Sequence, residues 1–300
     1  MSQDFILSCE STIDMPYSYA QKRDLPVLFY TYSVDGVEYE DDMCRNEDAL
    51  PKFYALLKNS KLPSTSQINE FKYYDFFDKL SEKAPVLHIA FGSGMTPSVK
   101  NAVTAAEKIE KDYPGRKVTV IDSLCSSAGY GMLVDAAADM RDNGASFEEI
   151  YDWVMENRKR VHHQFFSTDL KFFKRSGRVS GATATIATIL DICPIMRLDD
   201  KGRIIAYDKI RGKKIAIKVT MDTVEKFADG GKQYSGKFFI VNSDCRADAE
   251  AVKKALADRF PSAKEAEIFS IGPIIASHSG PGTVAVFFFG SERQPDKSSK

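Results

Sequence analysis

The feature that most restricts this chain is a set of four short apolar runs, with helix-periodic sequence among them. Phe5-Ile6-Leu7, Val27-Leu28-Phe29-Tyr30, Val86-Leu87-His88-Ile89-Ala90 and Val118-Thr119-Val120-Ile121 are brief and continuous. Strands buried on both faces read this way. Between the last two, residues 97–113 set Val99, Ala102, Val103, Ala106 and Ile109 on one helical face. Ser146-Phe147-Glu148-Glu149 has the spacing of a capping box and opens a helix running toward His162. Such alternation predicts an α/β unit with a parallel sheet and helices on both its faces.

Beyond Phe165 the pattern changes. Thr168 is placed to cap a short helix that ends at Gly177, and residues 182–192 read as an apolar helix stopped by Pro194. Asp199-Asp200-Lys201-Gly202 is a hairpin turn between two apolar runs. A helix over about 221–228, a strand over 238–241 and a helix over 247–260 follow. This mixture predicts an α+β second domain. The expected organisation is 1–165, 166–290 and a disordered tail over 291–300, SERQPDKSSK.

Lys plus Arg total 41 against 42 Asp plus Glu, so no bulk field draws the chain to nucleic acid or membrane. No apolar run approaches the roughly 18 residues of a membrane span, and the N-terminus lacks a basic, then apolar, leader pattern. The chain therefore reads as cytoplasmic, with no stable membrane insertion. Its five cysteines have neither metal-ligand nor redox-motif spacing. Cys9, Cys125 and Cys193 adjoin apolar runs and read as small core residues, and no metal site is expected.

Several motifs carry both a plain and a chemical reading. Gly231-Lys232-Gln233-Tyr234-Ser235-Gly236-Lys237-Phe238 approaches a P-loop, but Phe238 cannot supply the magnesium hydroxyl, and the run follows a helix. A helix-ending turn is the better reading. Gly92-Ser93-Gly94 departs from the dinucleotide fingerprint at Pro97 and from a nucleophile elbow at Phe91 and Met95. Spacing alone leaves either a tight turn or an anion site at a helix start, with Thr96 as cap and Pro97 in the first turn. Pro63-Ser64-Thr65-Ser66-Gln67 reads as a capping segment. His162-His163 lies near an expected helix end, where the helix dipole explains it. His278 stands in the loop-like run Ser277-His278-Ser279-Gly280-Pro281-Gly282, between β-forming stretches.

Taken in order, these pieces resemble the DegV family of fatty-acid-binding proteins, over about residues 6–290. The quoted motifs are Glu10-Ser11-Thr12 with Asp14 and Pro16, Thr65-Ser66-Gln67, Gly92-Ser93-Gly94-Met95-Thr96-Pro97-Ser98 and Ile121-Asp122-Ser123. Further on stand Lys174-Arg175-Ser176-Gly177-Arg178-Val179, Cys193-Pro194-Ile195 with a hairpin to Arg211, and Gly272-Pro273 followed by His278-Ser279-Gly280-Pro281-Gly282. Glu10 stands where the family has Asp, and Gly92, Thr96 and Pro97 depart from its serine loop. The resemblance implies a two-domain fold with a long-chain fatty acid between the domains and its chain in an apolar tunnel of the second. It implies carboxylate contacts from Thr65, Ser66, Ser93, Gly94, Thr96, His278 and Ser279, with the hydroxyl left open between Ser93 and Thr96. Phe165, Phe166, Phe172, Phe173 and the apolar helix would wall the tunnel. It further implies a carrier with no catalytic residues and no cofactor, presenting its ligand to an ATP-dependent fatty acid kinase. Arg175, Arg178 and Arg211 would dock that partner. Two alternatives remain open: a hydrolase using Ser93 and His278, and a binding subunit for another small anionic metabolite.

Overall fold

A computed structural model describes residues 5–59, 61–168, 170–180 and 192–296. All four apolar runs reach a sheet. Strands β1 (Ile6–Glu10), β2 (Val27–Leu28), β6 (Val86–Ala90) and β7 (Val118–Asp122) form a parallel sheet in the order β2-β1-β6-β7. Helices α1 (Tyr17–Lys22), α3 (Glu70–Ser81), α4 (Ser98–Asp112) and α5 (Ser127–Asp142) are among those of this half. On α4 the periodic face is buried at Val99, Ala102, Ala106 and Ile109, while Val103 is exposed. The capping box at Ser146 forms, and α6 (Phe147–Asn157) follows it.

One small sheet was not expected. β3 (Thr31–Val34) and β4 (Val37–Glu40) make a hairpin, and β5 (Ser64–Thr65) adds to β3. Asp35 and Gly36 turn the hairpin with φ of 52° and 81°, the left-handed pair that an Asp-Gly turn favours. Helix α2 (Ala49–Lys58) lies between β4 and β5 in sequence. Thr65 is therefore a strand residue opposite Tyr32, not part of a capping segment. The cap that forms is Asn69, whose side chain accepts from Lys72 N.

The second half is built on a mixed seven-stranded sheet. Its strands are β8 (Val161–Ser167), β9 (Val179–Ser180), β10 (Ile192–Leu198), β11 (Ile204–Arg211), β12 (Phe239–Asn242), β13 (Glu267–Ser270) and β14 (Thr283–Phe289). They run in the order β13-β12-β14-β8-β10-β11-β9. Helices α7 (Lys171–Ser176), α8 (Lys213–Phe227), α9 (Arg246–Arg259) and α10 (Pro273–Ser279) complete it. The hairpin at Asp199–Gly202 is as expected. Asp199 Oδ1 accepts from Lys201 N at 3.0 Å and from Arg203 N at 2.7 Å, and Gly202 takes φ 74°. Gly231–Gln233 is a short 3-10 turn after α8, not a phosphate loop.

Several expectations meet a different arrangement in the structure. The boundary near Phe165 falls inside β8, which pairs with both β10 and β14. The larger apolar core runs without a break from Leu7 and Ile89 through α5 to Phe165, Val241 and Phe287, while a second core lies on the opposite face of the large sheet. His162 and His163 lie in mid-strand and point to opposite faces, as period-two alternation requires. His162 stacks on Phe288 and Phe227, and His163 meets Phe287 edge-on. Thr168 does not cap α7; Leu170 holds that position, although Gly177 ends the helix in the left-handed region as expected. The start of the expected tail is packed: buried Arg293 donates to Asp199 O, Val161 O and Leu124 O at 2.9, 2.6 and 2.7 Å. The helix expected over 182–192 lies outside the described residues except at Ile192, which opens β10 together with Pro194 and Ile195.

The run around His278 is not a loop. Gly272 caps α10, Pro273 occupies its first turn and Gly280 follows its last residue with φ 66°. Pro just inside the start and Gly just past the end is a helix signature that β-forming neighbours concealed.

Candidate functional site

A cavity of about 140 Å³ opens where β5, the segment before α4, α7–β9 and α10 converge. Its polar lining includes Thr65, Ser66, Gln67, Thr96, Ser126, Arg178, His278 and Ser279; Phe91, Met95, Phe173, Ile204, Ile274 and Ile275 supply apolar wall. A smaller, more apolar cavity of about 60 Å³ adjoins it through Ser126, Phe173, Ile204, Ile275 and Ser279, and reaches Phe165, Leu198, Val241, Ala285 and Phe287 of the sheet.

At the polar end, Thr65 Oγ1 lies 2.8 Å from His278 Nε2. Thr65 belongs to the first half of the chain and His278 to the last helix, so this bond joins two distant segments. Burial, and then the charges of Arg178 and Arg175, push the imidazole down to about 4, so His278 is neutral at pH 7. Its Nδ1 is buried without a partner among the described residues. Thr96 is buried before α4, where its Oγ1 accepts from Ser98 N at 3.2 Å and lies 2.9 Å from Ser98 Oγ. Ser126 N donates to His163 Nε2 at 3.0 Å, while His163 Nδ1 lies 3.1 Å from Val161 O. Burial first, then Arg293, holds His163 well below its usual range, so it serves as a neutral acceptor.

Arg178 is half-buried on the cavity wall. Its Nη1 donates to Ser176 O at 2.6 Å, and burial lowers its pKa, although a guanidinium retains its charge throughout the physiological range. Among the described residues no Asp or Glu lines this cavity. A guanidinium, an imidazole and several hydroxyls thus converge with no acidic side chain to balance them.

The structure does not bring every expected residue here. Ser93 is exposed and outside the lining, with its backbone N–H given to Asp122 Oδ1 at 2.9 Å. Gly94 also lies outside. A Cβ there would stand 2.3 Å from Gly202 O, so its glycine serves contact between the loop and the β10–β11 turn. Ser93 and His278 form no dyad, because the bond found at His278 is to Thr65. Arg175 ties α7 inward, donating to Ser277 O at 3.1 Å and Pro63 O at 3.3 Å, and lies over the Phe172 ring. Arg211 is exposed at the end of β11. Arg178 belongs to the cavity wall, where sequence reasoning had placed it among docking residues. Glu10 is wholly buried and receives Phe91 N at 2.9 Å and the Tyr73 hydroxyl, with His88 Nε2 at 3.3 Å. The longer acid in place of Asp anchors the residue that leads into the Gly92–Ser98 loop.

Comparison with known proteins assigns this architecture. The model described as "Uncharacterised protein, DegV family" matches residues 7–291. The chain belongs to the DegV family. A DegV domain-containing protein of Clostridium perfringens is 32% identical over 97% of this chain and 99% of its own length. A Thermus thermophilus DegV-family structure, described for its fatty acid binding, superposes with a TM-score of 0.84 at 27% identity, over 96% of this chain and 99% of that one. A Thermotoga maritima DegV lipid-binding protein, at 23% identity, shares the fold with a TM-score of 0.84 over 97% of this chain and 100% of that one. The fold is thus the two-domain DegV fold. Among the described residues no helix is long and apolar enough to cross a membrane.

Proposed function

We propose that this protein binds a long-chain fatty acid and presents its carboxylate to an ATP-dependent fatty acid kinase, acting as a carrier without chemistry of its own. The observation that carries the reading is the polar cavity: donors and a half-buried guanidinium, no acidic side chain among the described residues, and an apolar cavity leading onward. At about 0.8 kcal/mol per buried methylene, an acyl chain offers on the order of 10 kcal/mol before the costs of association. A carboxylate buried without partners would oppose this by several kcal/mol. Arg178, Thr65, Thr96 and His278 meet that cost, because each has a group able to donate to an oxygen. The fatty acid binding described for the Thermus thermophilus relative supports the same assignment. The kinase partner is what the family resemblance implies, with exposed Arg211 offered as its docking contact.

Organic extraction of the purified protein, followed by mass spectrometry, tests the binding step. A near-stoichiometric long-chain acid is expected, and delipidated protein should take up palmitate again. Recovery of another small anion, or neither recovery nor rebinding of palmitate, overturns the reading. Adding ATP and a fatty acid kinase to the loaded protein, then trapping with hydroxylamine, should yield the acyl hydroxamate only when the carrier is present.

A further inference from the structure

The helix that carries His278 is held from its other end by a residue outside the polar cavity. Gly272, the cap of α10, gives its N–H to Asp14 Oδ1 at 2.9 Å, and Asp14 Oδ2 accepts from the Ser127 hydroxyl. Ser127 opens α5 and directly follows Ser126, which lines both cavities. One carboxyl group therefore ties together the starts of two helices that form the cavity walls. Asp14 stands in the left-handed region, φ 50°, at the end of the 3-10 turn Ser11–Ile13, a conformation Asp accepts more readily than most residues. A Cβ on Gly272 would lie 2.9 Å from Asp14 Oδ1, so the glycine permits the approach. The Tyr54 hydroxyl adds a neighbouring tie to Ile271 O at 2.8 Å.

We infer that Asp14 is a positioning residue for the polar pocket: by bridging Ser127 and Gly272 it sets the placement of α10, and so the bond between His278 and Thr65. The inference rests on the fatty-acid reading for its ligand, but not for its effect on His278. Burial drives the Asp14 carboxyl up to about 8, against the bonds from Ser127 and Gly272, and Asp41 raises it further. Asp41 bears on this group from the β4–α2 segment, where Asp42 and Glu40 act in turn on Asp41 and Arg45 pairs with Glu40; α5 brings the Ser127 hydroxyl and α10 the Gly272 N–H. Protonated, Asp14 can donate to Ser127 Oγ while its other oxygen still accepts from Gly272. Asn can make the same pair of bonds, and Ala neither.

The test compares Asp14→Asn and Asp14→Ala in two measurements: the NMR titration of His278 without ligand, and palmitate affinity. Asp14→Asn should bind palmitate within about threefold of the parent, whereas folded Asp14→Ala should bind at least about tenfold more weakly, the size of one lost buried hydrogen bond. In Asp14→Ala the His278 titration should move up from about 4 toward its ordinary value. Should Asp14→Ala not fold, Gly272→Ala carries the test, since its methyl displaces the carboxyl from the other side and should give the same two changes. If either folded variant keeps both the His278 titration and palmitate affinity within twofold, Asp14 is only a structural residue. If the parent itself binds no palmitate, the fatty-acid reading fails, and the His278 titration alone decides for or against Asp14.

Discussion

The two ends of α10 are buried in opposite surroundings. At its C-terminal end, His278 faces hydroxyls and the Arg178 guanidinium with no acid among the described residues of the cavity lining. At its N-terminal end, Gly272 adjoins Asp14 and Asp41 in a separate cavity of about 220 Å³, which Glu40 and Asp42 also line. Burial acts on both ends alike, by disfavouring charge. It lowers His278 to about 4 and raises Asp14 and Asp41 to about 8 and about 7. The acids can take up protons and become neutral. Arg178 cannot lose its charge, so only the C-terminal end retains a charge that an incoming anion can balance. That asymmetry separates a binding pocket from a buried structural joint.

Reversing the charge at the C-terminal end should have the largest effect. Arg178→Glu replaces the anion's partner with a like charge, and we expect palmitate affinity to fall by at least about 3 kcal/mol. The corresponding fatty alcohol, measured by displacement of a fluorescent probe, should lose far less. Equal losses for acid and alcohol would show that Arg178 shapes the cavity without reading its charge.

The N-terminal end should appear in the pH dependence of stability. Asp14 and Asp41 have raised folded-state pKa values, so their contribution is complete below about pH 4 and is lost as pH rises through about 7 to 8. His278 has a lowered value, so its contribution is complete above about 6.5 and is lost as pH falls through about 4. Urea unfolding of the parent should therefore show stability falling by about 2 kcal/mol between about pH 6.5 and 8, above the range where His278 contributes, with the double variant Asp14→Asn, Asp41→Asn nearly flat over that range. An equal alkaline decline in the double variant would place the titrating group elsewhere.

A smaller effect should follow at the bond between the halves. Thr65→Val keeps the shape and removes the hydroxyl, leaving His278 Nε2 without the partner it has at 2.8 Å. We expect about 1–2 kcal/mol of palmitate affinity to be lost, from one buried hydrogen bond. A double-mutant cycle with Arg178→Ala should show coupling, because both groups bear on His278. Strict additivity would mean that they act on separate parts of the ligand.

What could be read beforehand follows from how local each signal is. The parallel strands, the Ser146 capping box and the Asp199–Gly202 hairpin depend on neighbours in sequence, and all three form. Asp35-Gly36 is an equally local signal, and it turns the β3–β4 hairpin. α10 was concealed by its short length and by the β-forming sequence around it, although Gly272-Pro273 and Gly280 marked both its ends. His162 and His163 could be placed only once β8 was known to be central, with both its faces covered. Thr65, Thr96, His278 and Ser279 came from family resemblance, and the structure brings them to one cavity. Arg178 reaches that cavity through the course of the chain from α7 to β9, and Arg293 meets its partners across about half the sequence length. Neither contact has a local sequence signature.

The least effect is expected at the residue that motif matching favoured. Ser93 occupies a family serine position, but its side chain is exposed and its loop contact is made by the backbone, through Asp122. Thr96, three residues on, is buried on the cavity wall, with Ser98 N–H already donated to its oxygen. Its own proton is therefore available to an anion whenever Ser98 Oγ supplies the hydrogen between the two hydroxyls. Ser93→Ala should change palmitate affinity by less than about 0.5 kcal/mol, as an exposed substitution does, while Thr96→Val should cost about 1 kcal/mol. Isothermal titration with delipidated protein decides between them. The reverse order would mean that loading the ligand turns the Gly92–Ser98 loop so that Ser93 replaces Thr96 at the carboxylate, and the contrast between the two ends of α10 would then hold for the empty protein alone.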